Sequence, residues 1–511
     1  MTPDFDRGLS FRAFAALFAV LLAASSAPLL ACDILPLVDY PNHLARVQLL
    51  ASLAQSPVLQ QFYTLAWRPI PDLAIDLVAP PLLRFLPLLP TGKLFVLASF
   101  ALMAGGAAAL HRVLFGRWSA WPCLAFLLLY GRLLLWGLLN YLFGIGLAVA
   151  ALAGWIALAE RGNAVRIVAG TIFALAVYLA HLMAFGVYAV LLLGYEAGQL
   201  LRRRAPLRAW FRAVAVAGLP LAVPLAIMAL AGNGGGGGGV SFSHPWRKLD
   251  LLFSVFDLYH RPFDVACFVL AVIGLGWAYW RRWIALAPAM VVPLALLAMV
   301  YLAMPTQLLG ASGADRRLPL ALFLTLFGSS AWVPPRPRLE RLYLGAAAAM
   351  LALRLATVMA SWQTSDSDYR ALLAELDRIP IGSRIAVAYS EGAVNVVATP
   401  LTHFPVLAVA RRQAFVPTLF AQAGQQPVTL LPPFQALAQR LSPDSLWAAF
   451  VTGAAPLDSD RRAALAEYDY VVFTDREPFA LASTAGLELA FQARRFALYR
   501  VAQLDGAGGR R

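Results

Sequence analysis

Asp39-Tyr40-Pro41-Asn42-His43-Leu44-Ala45-Arg46 lies between two long apolar runs, residues 9–31 before it and residues 93–111 after it. It gathers an acid, an amide, an imidazole and a guanidinium into a chain that is otherwise mostly hydrocarbon. A helix of about 20 apolar residues crosses the roughly 30 Å hydrocarbon core of a bilayer. Repeated runs of that length set the fold class: a polytopic α-helical membrane protein whose first loop opens on this stretch.

Composition agrees. The chain is 60% hydrophobic and 13% charged, whereas a soluble domain is about 25% charged. Mean hydropathy is +0.69. The net charge of +14 does not point to nucleic acid, because Lys and Arg cluster in short loops between apolar runs. That is the pattern that orients membrane proteins, so membrane lipids are the expected surroundings. Cys32, Cys123 and Cys267 are too few and too scattered for a disulfide framework or a zinc site.

About eleven transmembrane helices are predicted, over residues 9–31, 93–111, 119–138, 141–159, 167–180, 182–200, 213–231, 263–280, 283–303, 318–333 and 342–361. Leu29-Leu30-Ala31-Cys32 loosely resembles a lipoprotein cleavage box, but the leucine before the small residue and the length of the run favour a retained span. Residues 70–90 carry Asp72, Asp76, Arg84 and five prolines, and read as interfacial rather than spanning. Asn140-Tyr141 is expected as a tight turn joining the third and fourth spans. The run Gly234 to Gly239 is a flexible linker, since no Lys-Ser/Thr or flanking strand makes it a phosphate loop.

Alternating the spans puts Arg112/Arg117, Arg161/Arg166, the arginines from Arg202 to Arg212, Arg281/Arg282 and Arg336 to Arg341 on one face. By charge that face is the cytoplasm. The N-terminus is then cytoplasmic and the C-terminal part extracytoplasmic, in a multi-pass protein of the cytoplasmic (inner) membrane. Residues 1–361 form the transmembrane domain, with outer loops at 32–92 and 232–262. Residues 362–511 form a C-terminal extracytoplasmic α/β domain. Within it, helices are predicted at 366–378, 441–451 and 458–467, and strands at 384–389, 404–410, 468–473 and 497–501.

The candidate chemistry falls on the outer face. Asp39 is the candidate catalytic base, partly desolvated near the membrane surface; its alternative role is a helix N-cap. Arg46 shares a helical face with His43 and binds a phosphate or snorkels to headgroups. His43 is a phosphate partner, a structural hydrogen-bond partner or, with Asp39, a ligand to a divalent metal ion. Arg316 and Arg317, after Asp315 at a helix start, can hold a pyrophosphate through their planar forks or simply flank a span. Arg132 sits within the third span and needs a partner or a cavity. Asn140, His181 and His260 complete the candidate binding set. Trp246 and Tyr259 suit a sugar face or an interfacial aromatic belt.

This organisation resembles the GT-C superfamily of polytopic glycosyltransferases. The likeness lies in an acid shortly after the first span, an interfacial first loop, about eleven spans and a C-terminal α/β domain. Asp39-Tyr40-Pro41-Asn42-His43, Asn140-Tyr141 and Asp315-Arg316-Arg317 are similar to signatures of uncharacterised bacterial membrane proteins of this type. The resemblance implies transfer of a sugar from a polyprenyl-phosphate-linked donor to a glycan, lipid or protein acceptor, with Asp39 as base or metal ligand. Many members carry two acids adjacent or one residue apart; here Asp33 lies six residues before Asp39. Two other readings use the same features: a transporter or flippase of lipid-linked glycans, and a non-catalytic membrane scaffold.

Overall fold

The computed structural model describes residues 8–231, 239–308, 311–333, 337–390 and 401–502. Apart from Gly239, the glycine run lies outside the described residues. In chain order the helices of the membrane part are α1 (Phe11–Leu30), α2 (Tyr40–Ser52), α3 (Ala74–Leu82), α4 (Leu88–Phe115), α5 (Arg132–Leu135), α6 (Leu139–Ala157) and α7 (Asn163–Ala180). They continue as α8 (Leu182–Arg202), α9 (Leu207–Leu230), α10 (Arg247–Phe253), α11 (Arg261–Trp280), α12 (Val291–Ala303), α13 (Ala314–Ser329) and α14 (Pro337–Leu376).

Among the described residues, eight helices are long and apolar enough to cross a membrane: α1, α4, α6, α7, α8, α9, α11 and α14. The protein is a multi-pass membrane protein. Shorter apolar segments occupy the other expected spans, at residues 121–135, α12 and α13. Helix is what the lipid demands here, since backbone polar groups find no water in hydrocarbon.

The third expected span is corrected in detail. Residues 121–128 form a 3-10 helix, Gly131 breaks it, and only four residues of α-helix follow. The break has a cause. A Cβ on Gly131 would stand 2.7 Å from the Val255 carbonyl oxygen, so a second segment presses against the backbone there. The turn into the next helix is also corrected. It falls at residues 136–138, where Gly137 takes φ +80, a conformation that glycine adopts at little steric cost. Asn140 and Tyr141 are therefore not the turn; they are buried in the first turn of α6.

The α/β domain is built on a four-stranded sheet. Ile385–Ala388 pairs parallel with Tyr470–Thr474, which pairs antiparallel with Phe496–Val501, which pairs antiparallel with Leu487–Gln492. The strand expected at 404–410 is instead helical, a 3-10 turn at Phe404–Val406 followed by an α-helix at Leu407–Arg412. Pro405 has no N–H to give a sheet ladder, and a short buried apolar run has no period that separates strand from helix.

Two features join this domain to the membrane part. The expected boundary at residue 361 falls inside α14, which continues to Leu376 without a break. The first loop also supplies a strand, Tyr63–Leu65, paired antiparallel with Val428–Leu430. Tyr63 reinforces it: its hydroxyl donates to the Ala414 carbonyl (3.1 Å) and accepts from the Val416 N–H (3.2 Å). The loop thus lies between spans and domain and is fixed to both.

Candidate active site

Asp39 stands at the N-cap position of α2, but its side chain makes no capping hydrogen bond. Its backbone holds it instead. Its N–H donates to the Trp136 carbonyl (3.1 Å) and its own carbonyl accepts from the His43 N–H (3.1 Å). Gly137 lies directly against it, since a Cβ there would come within 2.8 Å of the Asp39 nitrogen. The carboxylate is about 21% exposed. Burial raises its pKa to about 7, against the opposing pull of the Arg317 and Arg46 guanidiniums. An acid in that range is half ionised at neutral pH, the condition under which a carboxylate serves best as general base.

The α/β domain closes over this acid. His403 Nε2 is 3.7 Å from Asp39 Oδ1, and burial lowers the imidazole pKa to about 4, so His403 is neutral at pH 7. Beside it, Asn42 Oδ1 accepts from the Phe420 N–H (2.9 Å).

His43 and Arg46 turn out to be framework. His43 Nε2 lies 3.1 Å from the Gly137 carbonyl and must donate to it, which leaves Nδ1 to accept from Arg46 Nη2 at 3.3 Å. Burial and the neighbouring Arg46 lower the His43 pKa to about 3. Arg46 in turn grips Asp76 with both arms of its fork, at 2.6 and 2.8 Å, and both side chains are fully buried. The chain Gly137–His43–Arg46–Asp76 fixes α2 on α3 and on the turn below Asp39. Both ring nitrogens of His43 are engaged, so it does not fit a metal ligand. Among the described residues no cluster of three or more His, Cys, Asp and Glu side chains forms a metal site.

Arg317 is the cation with the largest pull on Asp39. Its Nη1 donates to the carbonyls of Ser312 (3.0 Å) and Gly313 (2.8 Å), while its Nε is buried without a hydrogen-bond partner. Asp72, Tyr141 and Asp39 all lie within its electrostatic reach. Tyr141 donates to the Arg317 carbonyl (2.5 Å) and stacks edge-on against His181, with ring centroids 5.1 Å apart. Asn140 bridges outward, accepting from the Ile75 N–H (2.9 Å) and donating to the Asp72 carbonyl (2.5 Å). His181 Nδ1 accepts from the Met183 N–H (3.0 Å), and its Nε2 faces Asp72 Oδ1 at 3.4 Å.

A second basic group sits nearby. Arg316 lies over the Trp136 ring, 5.0 Å from its centroid, within reach of Arg132 and Arg247. Arg132 has the partner its position required, an ion pair with Asp257 in the 254–258 loop. His260, the N-cap residue of α11, is exposed and stands apart from these contacts.

No protein-family model matches this sequence, and no curated protein matches it. In structure the chain is similar to ArnT from Cupriavidus metallidurans bound to undecaprenyl phosphate, with a TM-score of 0.56, 12% identity, and coverage of 98% of this chain and 100% of that one. The apo state of the same protein aligns with a TM-score of 0.54 and 12% identity over 96% and 98% of the two chains. The chain has the fold of ArnT. The organisation expected from the sequence, apolar spans followed by an α/β domain, aligns with that fold over nearly its whole length.

Within this ArnT fold, an apolar cavity of about 660 Å³ opens between the 121–128 segment, α11, α13 and α14. Leu128, Phe256, Phe263, Phe327 and Tyr343 are among its walls. Phe256, one of those walls, is the chain neighbour of Asp257, the partner of Arg132.

Two residues around the candidate site escaped the sequence reading. Arg354 is fully buried on α14 and donates to the carbonyls of Phe256 (2.9 Å) and Tyr130 (2.7 Å), with Asp264 3.3 Å away. It pins the 254–258 loop against the third span. Its signal was available: an arginine alone among alanines and leucines in residues 344–359. Asp72 is the other. Its signal is invisible in sequence, because it is the backbone conformation that singles it out.

Proposed function

We propose that this protein is a membrane glycosyltransferase that takes a sugar from a polyprenyl-phosphate-linked donor at the site around Asp39. The observation that carries the reading is a buried Asp39 under the α/β domain, within electrostatic reach of Arg317, in a chain with the ArnT fold. One ArnT structure contains undecaprenyl phosphate, and the apolar cavity walled by α11, α13 and α14 suits the tail of such a lipid. By the charge of its loops, the site faces the extracytoplasmic side of the inner membrane.

The chemistry is a displacement with inversion. The acceptor hydroxyl attacks the anomeric carbon; its oxygen–carbon bond forms as the bond from that carbon to the phosphate oxygen breaks. Asp39 takes the hydroxyl proton, and the electron pair leaves with the polyprenyl phosphate. The developing negative charge is met by Arg317 and by the group of Arg316 and Arg132, positioned before the reaction begins. Arg46 has no part in this, because Asp76 occupies its fork. The acceptor is a glycan, lipid or protein.

The test is transfer by the purified chain in nanodiscs, using undecaprenyl-phosphoryl sugars and an envelope extract as acceptor. Asp39→Asn should lower the rate by about 10²- to 10⁴-fold, the usual contribution of a general base. The wild-type rate should climb with pH and level off above about 7, as Asp39 ionises. Full transfer by Asp39→Asn, or a flat pH profile from 5 to 8, sinks the proposal.

A further inference from the structure

Asp72 adopts φ +68, a region that costs a non-glycine residue free energy and persists only where neighbours enforce it. Three hydrogen bonds enforce it here. The Asp72 carbonyl accepts from Asn140 Nδ2, the Leu73 N–H donates to the Leu179 carbonyl (2.8 Å), and the Ile75 N–H donates to Asn140 Oδ1. Glycine would satisfy this backbone with less strain.

The side chain contributes little to the fold in return. It is 48% exposed, and its one close ionisable partner is His181 Nε2 at 3.4 Å. Its Oδ1 is buried without a hydrogen-bond partner, so a ligand meets the exposed remainder of the carboxylate. Yet it stands on the same side of the molecule as Asp39, and Arg317 lies within electrostatic reach of both acids. The loop thus presents a half-exposed carboxylate, held in a strained conformation, within reach of the same arginine as the acid assigned as base.

We propose that Asp72 is a second acid of the site and binds the donor sugar through its hydroxyl groups. A carboxylate offers acceptors only, and vicinal hydroxyls are donors that match it. Arg317 meets the phosphate between the two acids, so Asp39 faces the acceptor and Asp72 the sugar. This inference rests on the transferase reading above.

The test compares two lipids on the full chain in nanodiscs: undecaprenyl phosphate, and a set of undecaprenyl-phosphoryl hexoses and pentoses. In wild type, at least one sugar-bearing lipid should bind more tightly than undecaprenyl phosphate. Asp72→Asn keeps an amide that tolerates positive φ, and Asp72→Gly relieves the strain. Both should lose that increment, about ten- to a hundredfold for a charge-assisted hydrogen bond, while binding undecaprenyl phosphate within twofold of wild type. Asp72→Gly should melt no lower than wild type, which separates loss of recognition from loss of folding. If no sugar adds affinity, or the increment survives in Asp72→Gly, the inference is overturned and the transferase reading stands. If undecaprenyl phosphate itself does not bind wild type, the transferase reading fails first.

Discussion

At the scale of single residues, the site is a set of burial costs held in place by a few backbone bonds. Asp39 keeps its proton to about pH 7 in the folded chain, against an ordinary value of 3.8. Between those values the folded state binds more protons than the unfolded one. Its contribution to stability is therefore greatest below pH 3.8 and is lost as pH rises toward 7. His43 has the opposite sign: held to about 3 against 6.5, it contributes stability above pH 6.5 that is lost as pH falls. Asp39→Asn should thus melt higher than wild type at pH 8, with the gap closing toward pH 4. A gap that stays constant with pH, followed by thermal unfolding in nanodiscs, would remove the buried-acid account. Much of this site is legible in the sequence. Asp39, Arg132, Asn140, His181 and Arg317 stand out there by their concentration near span ends. The roles of His43 and Arg46 are not legible, because their partners, Gly137 and Asp76, are set by tertiary packing. Asp72 is hidden for a different reason: strain belongs to the backbone, and no residue type announces it.

Among the elements, α2 and α3 matter most, since together they carry the first loop beneath the domain. Their union rests on the Arg46–Asp76 pair, both partners buried. Such a pair contributes little net stability compared with apolar residues of the same shape, but removing one partner strands a buried charge. Arg46→Ala should therefore destabilise the protein by about 3–5 kcal/mol. Arg46→Met combined with Asp76→Leu should recover most of that loss. Thermal unfolding of the two variants decides the matter; an Arg46→Ala protein as stable as wild type, but impaired only in donor binding, would return Arg46 to the list of phosphate ligands. The element scale is also where sequence periodicity misleads. The third span is legible as apolar but not as a 3-10 segment broken at Gly131, because the cause is the backbone of residues 254–255 pressing from far along the chain. The 404–410 segment fails likewise: a buried apolar run reads the same as strand or helix until its neighbours are known.

For the whole molecule, the spans are legible because hydrocarbon imposes one solution on long apolar runs, whereas the join between membrane and domain is not. Composition changes after residue 361, yet α14 carries on through it. Forty residues of helix measure about 60 Å, at 1.5 Å per residue, twice the hydrocarbon thickness. The same rod is membrane span at one end and packs within the domain at the other, where Tyr369 stacks on Phe404 and Arg495 Nε donates to Asp368 (2.6 Å); there it also holds the first loop, through Arg370 and Asp33 (3.0 Å). It acts as a lever whose fulcrum is the bilayer. A helix tilts to match lipid thickness, and tilting this one moves His403 relative to Asp39 at the far end. Transfer in nanodiscs should peak at one acyl-chain length and fall on either side, while the melting temperature changes little. Equal rates across lipids of about 14 to 22 carbons, a range that spans typical hydrophobic mismatch, would show the domain to be uncoupled from its rod. A peak of that kind would make the lipid a setting of the candidate site as well as the protein's solvent.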